Sequence, residues 1–393
     1  MRMAYASDVG DSGHKSVSQA IVEEGLARNH ACEEFPLWPD DSVVARDVLF
    51  RMFREYANRR LSCLPPVIEE PGLEPEMARD LMPGLSLPDV DVLIGVHPWA
   101  AYFFAELAQR DGFEGPIIAV NTDFYEFPAL AHPRIDLYTG VFPKRILPPA
   151  HRARQRAIGM PVRSGFCQAG PPVAERDLLV AAVGARPFIP LDEILAACSA
   201  LQRRLPGVRV VVCAGREPAD SPPFDPPSNI EIRHGATDLS DLMTRARLVL
   251  TRPSGATVAE AIAAGAVPVL LPSDVPWEAD AARHLVYEGL AVPLPGKAGP
   301  IVDAIAGLWS DDRRVEAIAA AGRRLELGRS AERLWQLAEA GRPAAEESRA
   351  LMEPAETELL EGYLRTLDEA ERSDPMPRTA AFLRRAMLDW YGD

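Results

Sequence analysis

One short run in the second half of the chain has the composition of an anion site. Arg252-Pro253-Ser254-Gly255-Ala256-Thr257 follows the apolar Leu248-Val249-Leu250 and precedes Val258-Ala259-Glu260-Ala261-Ile262, with Gly265 beyond. Proline and glycine stop a strand. The alanine-rich segment after them has no breaker until Gly265, which serves as a C-terminal stop. A small-residue turn that opens a helix offers backbone N–H groups and the positive end of the helix dipole to an anion. Arg252 adds charge, and Ser254 and Thr257 add hydroxyl donors. Glu260, one turn in and expected at a largely exposed position, can accept from a ribose diol. The chemistry would be phosphate-plus-ribose binding. The plainer reading is an ordinary βαβ turn carrying a surface arginine.

A second constellation lies near the start. Residues 3–7 read as a strand, residues 8–13 as a turn containing Gly13, and His14 as the opening of a helix to about residue 27. Imidazole titrates near neutrality and suits general-base work, and a helix start disfavours a protonated ring. A solvated histidine is the plainer reading. His97-Pro98-Trp99 follows an apolar strand at residues 89–96, so His97 is a rival base. Asn121-Thr122-Asp123-Phe124 ends another strand at residues 116–120.

These motifs, in this order, resemble glycosyltransferase family 28. That group holds the monogalactosyldiacylglycerol synthases, the processive diacylglycerol glucosyltransferases and the lipid II N-acetylglucosaminyltransferase. Residues 251–265 are similar to its Lys-Pro-Gly-Gly-like turn followed by Thr-(Val/Ile)-Ala-Glu-Ala and a glycine, with Arg252 at the lysine. Ser7-Asp8-Val9-Gly10 through Gly13-His14-Lys15 is similar to Ser-Asp-Thr-Gly-Gly-Gly-His-Arg, with one extra residue and Asp11 and Ser12 at two glycines. His-Pro at 97–98, Thr-Asp-Phe at 122–124 and the exit Gly159-Met160-Pro161-Val162 follow in family order.

The resemblance, over roughly residues 3–325, implies a GT-B fold: two Rossmann-like α/β domains with a cleft between them. It implies an inverting transferase that moves a hexose from a nucleotide-sugar, most simply a UDP-sugar, to an acceptor hydroxyl; with no Asp-x-Asp motif in a credible metal context, helix-terminus N–H groups and Arg252 are expected to replace a divalent ion. His14 would be the base, with Gly13, His97 and Asp123 on the acceptor side. Arg252, Ser254, Gly255, Ala256 and Thr257 would hold the diphosphate and Glu260 the ribose. Gly215, Arg216 and Ala236 would lie by the nucleobase. Trp277 and Glu278 stand at a family glycine and glutamine that face the sugar. Residues 181–185 offer a single glycine where the family turn is glycine-rich.

The elements that must position these groups follow from pattern. Strands are expected at 135–142, 177–184, 208–214, 230–233 and 267–271, and helices at 150–158, 191–205, 239–246 and 279–288. The domains are expected at 1–170 and 171–327, with a linker at 165–172, a crossing back at 311–327, and a helical extension over 328–393. Residues 64–88 read as an irregular proline-rich loop. Residues 48–60 form a basic amphipathic stretch, read first as a surface helix and second as a lipid contact.

Composition sets the outer limits. A net charge of −15 argues against wholesale nucleic-acid binding. Five scattered cysteines without CxxC spacing argue for reduced, cytoplasmic thiols and no zinc site. No apolar run reaches spanning length. A soluble small-molecule acceptor ranks just ahead of a lipid, because anionic membranes would repel so acidic a chain. A non-hydrolysing UDP-sugar 2-epimerase and a non-catalytic sugar-nucleotide-binding protein are the alternatives.

Overall fold

The computed structural model describes residues 1–7, 12–36, 85–124, 132–142, 154–184, 191–214, 230–235, 238–273, 276–295 and 298–342. The amphipathic stretch 48–60, most of the 64–88 loop, Gly215, Arg216, Ala236 and the tail beyond residue 342 lie outside the described residues. The chain divides into two compact units. One comprises Met1–Met160, Val275–Trp277 and the chain from Ala331; the other comprises Pro161–Asp274 and Glu278–Ser330.

The first unit runs β1 (Arg2–Ser7), α1 (Ser12–Ala27), β2 (Ala31–Glu34), β3 (Val92–Val96), α2 (Pro98–Asp111), β4 (Ile117–Val120), β5 (Leu137–Gly140) and β6 (Gln155–Ala157). The strands pair in parallel in the order β2-β1-β3-β4-β5-β6. β3 and β4 are buried at every position, as parallel strands covered on both faces must be. Phe103, Phe104 and Leu107 of α2 pack on Leu93 and Ile117.

The second unit runs β7 (Leu178–Gly184), α3 (Leu191–Arg204), β8 (Arg209–Ala214), β9 (Glu231–His234), α4 (Ser240–Met243), β10 (Ala246–Thr251), α5 (Gly255–Ala263), β11 (Val267–Leu270), α6 (Pro276–Tyr287), β12 (Val292–Pro293), α7 (Ala298–Trp309) and α8 (Asp312–Arg323). Its sheet is again parallel, in the order β12-β11-β10-β7-β8-β9. Leu179, Val210, Leu248, Val267 and Val269 build its core against Ile194, Leu201 and Ile305.

Four expectations need correction. Residues 155–157 are not helical: they form β6, in register Tyr138↔Gln155 on the otherwise open edge of β5. The 239–246 helix ends at Met243, because Ala246 already joins β10. Residues 165–172, read as the linker, lie within the second unit, which begins at Pro161. Phe166 there is fully buried, and a Cβ on Gly170 would fall 2.3 Å from the Thr244 carbonyl oxygen. Finally, residues 312–323 stay with the second unit, and the return to the first begins at Ala331.

That return is made by α9 (Ser330–Ala340). Trp335 is completely buried, and its indole N–H donates to the Ile21 carbonyl at 2.8 Å. The ring lies where Gly25 leaves room: a Cβ there would sit 2.3 Å from it. Arg28 and His30 both reach the Glu339 carboxylate, at 3.1 and 2.9 Å. Exposed pairs of this kind are worth little, so the tryptophan dominates the docking. Trp335→Ala is expected to cost about 3–5 kcal/mol in urea unfolding followed by circular dichroism, with Trp335→Phe losing less.

Candidate functional site

Open parallel sheets bind ligands beyond the carboxyl ends of strands at a topological switch point. In the first unit the chain passes from β1 to β2 on one side and then to β3 on the other, so the switch lies between β1 and β3. His14 follows β1 and His97 follows β3. In the second unit the switch lies between β7 and β10, and Arg252 follows β10. His14 and His97 stand at the first of these points and Arg252 at the second.

In the first unit the rings of His14 and His97 lie together, 4.8 Å between centroids and tilted by 36°. Two local features force this. Gly95 has no side chain, and a Cβ there would come 2.2 Å from the Ala101 nitrogen, so α2 starts hard against β3. His97 alone then turns the chain from strand to helix, at φ +117. Its N–H donates to the Val120 carbonyl at 3.0 Å, and its own carbonyl accepts from Ala101 at 3.3 Å. A non-glycine residue in such a conformation costs roughly 1–3 kcal/mol, and glycine would hold the turn more cheaply.

His97 is also buried, only 6% exposed. Burial first, and then the neighbouring His14, hold its pKa well below the ordinary histidine value, so the ring is neutral at physiological pH. His14 is half-buried in the first turn of α1, next to Gly13. Asp123 is half-buried beyond β4, and its N–H donates to the Asn121 side chain at 3.1 Å. Asn121 and Thr122 are buried beside it.

In the second unit, a tight turn brings the Ser254 N–H to the Arg252 carbonyl at 2.7 Å, and the Ser254 carbonyl accepts from Val258 at 3.2 Å. Ser254 occupies the N-cap of α5, but its hydroxyl makes no cap bond. The first-turn N–H groups of Gly255, Ala256 and Thr257 are therefore not consumed by the cap. Gly265, at φ +69, ends the helix, and the Ala266 N–H reaches back to Ala261 at 3.0 Å, as a left-handed stop requires.

Glu260 differs from expectation: it is 8% exposed, not open to solvent. It lies 3.8 Å from the Arg163 guanidinium, which also sits 3.5 Å from Asp238 and stacks on Phe166. Sequence reasoning missed Arg163, because an arginine-rich composition gives no single arginine weight. Arg252 forms an ion pair with Glu278, and Glu278 also accepts from the Ser273 hydroxyl at 2.5 Å.

A cavity of about 420 Å³ opens at the opposite, amino ends of β7, β8 and β10, lined by Arg176, Asp177, Arg204, Arg247 and Asp312 among others. Its buried arginines hold the frame. Arg176 donates to the Ala246 and Ala264 carbonyls at 2.9 and 3.0 Å, and Arg247 donates to the carbonyls of Ala174 and Trp309 at 2.5 and 2.7 Å. Among the described residues, no helix is long and apolar enough to cross a membrane, and no three His, Cys, Asp or Glu side chains gather as a metal site.

The depressed pKa of His97 has a sign that can be tested. The unfolded chain binds a proton near pH 6.5 and the folded chain resists it, so the contribution is complete above that pH and is lost as pH falls below it. Asparagine tolerates positive φ. Wild-type protein should lose stability relative to His97→Asn between pH 6.5 and 5, with a constant difference above pH 7, in urea titrations across that range. Parallel pH curves would contradict the burial of a neutral ring.

No protein-family model matches the chain, and no curated protein sequence matches it. Solved structures share its fold. The calicheamicin glycosyltransferase CalG4 aligns at a TM-score of 0.55 and 17% identity, over 86% of this chain and 97% of that one. Arabidopsis thaliana UGT89C1, complexed with UDP-L-rhamnose, aligns at 0.54 and 14%, over 86% and 98%. A putative UDP-N-acetylglucosamine 2-epimerase from Listeria monocytogenes aligns at 0.50 and 10%, over 85% and 94%. At these identities the likeness is one of fold, and the two parallel-sheet units are those of the GT-B architecture.

Proposed function

We propose that the chain is a nucleotide-sugar-dependent glycosyltransferase that transfers a hexose, from a UDP-sugar in the simplest case, to a hydroxyl of a small-molecule acceptor with inversion. The observation that carries this reading is the start of α5 after β10, whose N-cap side chain makes no cap bond, at the switch point of a parallel sheet. The resemblance of residues 251–265 to a donor-site signature supports it. The named acceptors and donors of structures with this fold, a calicheamicin transferase and a protein bound to UDP-L-rhamnose, favour a small molecule over a lipid. Membership of glycosyltransferase family 28 in particular is part of the proposal.

In this reading the acceptor hydroxyl loses its proton to His14, and its oxygen attacks the anomeric carbon as the bond to the diphosphate breaks. The N–H groups of Gly255, Ala256 and Thr257, together with Arg252, take the charge that develops on the leaving diphosphate, so no divalent ion is required. Glu260 accepts from the ribose hydroxyls. The resemblance assigns Gly215, Arg216 and Ala236 to the base, and Gly13 and Asp123 to the acceptor side. His97 stays neutral and packs against His14.

Nucleotide release from UDP-sugars, assayed with and without a panel of hydroxylated acceptors and with chelator present, tests the proposal. Release that requires acceptor and survives chelation is the expected result. Sugar interconversion without release would identify the epimerase instead, and binding without turnover a carrier. His14→Ala should lower the turnover number by about two orders of magnitude and leave UDP affinity within about twofold, because the general base adds nothing to nucleotide binding. Near-normal turnover in His14→Ala, with loss in His97→Ala, would move the base to His97.

A further inference from the structure

Glu278 lies in the first turn of α6, with its side chain only 3% exposed. One carboxylate oxygen is held by the Arg252 guanidinium and the other by the Ser273 hydroxyl, at 2.5 Å. A carboxylate taken out of water is tolerated only when it is paired and hydrogen-bonded, and here both oxygens are met. The same arginine heads the turn that opens α5. The positive charge beside the helix start is therefore matched by a buried negative one before any anion arrives.

We propose that Glu278 is the built-in counter-ion of Arg252, and that it sets the affinity of the 252–257 turn for the donor diphosphate below what the arginine and the helix start would reach together. This rests on reading that turn as the diphosphate site. A diphosphate entering the turn must share the guanidinium with Glu278 and bear the repulsion of its carboxylate. What attracts the anion without offset is the helix start itself: the N–H groups of residues 255–257 and the dipole behind them. A moderated affinity favours departure of the nucleoside diphosphate after transfer, and product release limits many enzymes. The resemblance gives Glu278 a different task, contact with the donor sugar, and the two assignments make opposite claims about the nucleotide alone.

Glu278→Gln separates them. Glutamine keeps the length and can accept from Arg252 while donating to Ser273, so only the charge is lost. By calorimetry, the variant should bind UDP about tenfold more tightly and a UDP-sugar by the same factor, with a steeper loss of affinity as salt rises. A change confined to the UDP-sugar would overturn the proposal and make Glu278 a sugar contact. Weaker binding of both, in a variant that melts like wild type, would overturn it by making Glu278 a brace for Arg252. If the variant does not fold, the wild type alone still decides: a site with matched charges loses UDP affinity only weakly with salt, and a steep loss contradicts the pairing. Wild-type protein that binds no UDP would sink the diphosphate reading itself, an outcome distinct from any change in the variant.

Discussion

Parallel pairing throughout both sheets is the constraint on which the rest depends. A parallel strand cannot return by a hairpin, so most strands here are followed by a helix whose positive end starts beside the carboxyl end of the strand. The two places where the strand order reverses leave neighbouring connections running apart, and a ligand can enter between them. β1 and β3 flank one such place, and β7 and β10 the other. His14, His97 and Arg252 all lie just past the ends of these strands, although nearly 240 residues separate the first from the last.

Within that frame each unit carries local features that do not serve its stability. In the first, His97 makes a strand-to-helix turn in a left-handed conformation with its ring buried against His14. Glycine at 95 permits the close approach that demands the turn. In the second, two acidic side chains are buried next to arginines: Glu260 by Arg163, and Glu278 by Arg252. Paired buried charges rarely add to stability, and removing one partner is costly. Such pairs are more readily understood as fixing where charge lies around the turn at residues 252–257 than as holding the unit together, a task its apolar core already performs.

Much of this was legible in the sequence, and the exceptions have physical causes. The unit from β10 through α5 to β11 follows from an apolar run, a Pro-Ser-Gly turn, an alanine-rich helix and Gly265. His14 and His97 could each be read as a residue past a strand end, but their contact depends on β1 lying next to β3, which no local pattern encodes. Residues 150–158 have the composition of a helix; the unpaired edge of β5 made residues 155–157 a strand. β2 was not visible, because an edge strand of sequence Ala-Cys-Glu-Glu, mostly exposed, has no apolar alternation. The burial of Glu260 and the partner of Glu278 are tertiary facts: Arg163 precedes Glu260 by almost a hundred residues, and Arg252 and Glu278 sit on either side of a whole helix and strand.

The central claim is that the start of α5 receives a nucleoside diphosphate. Backbone amide hydrogen exchange, read by mass spectrometry with and without saturating UDP, reports on those N–H groups directly. Exchange at residues 255–258 should slow on addition of UDP, while the far end of the same sheet, around the amino ends of β7 and β8, stays unchanged. Saturating UDP that slows exchange elsewhere and leaves residues 255–258 untouched would contradict the account.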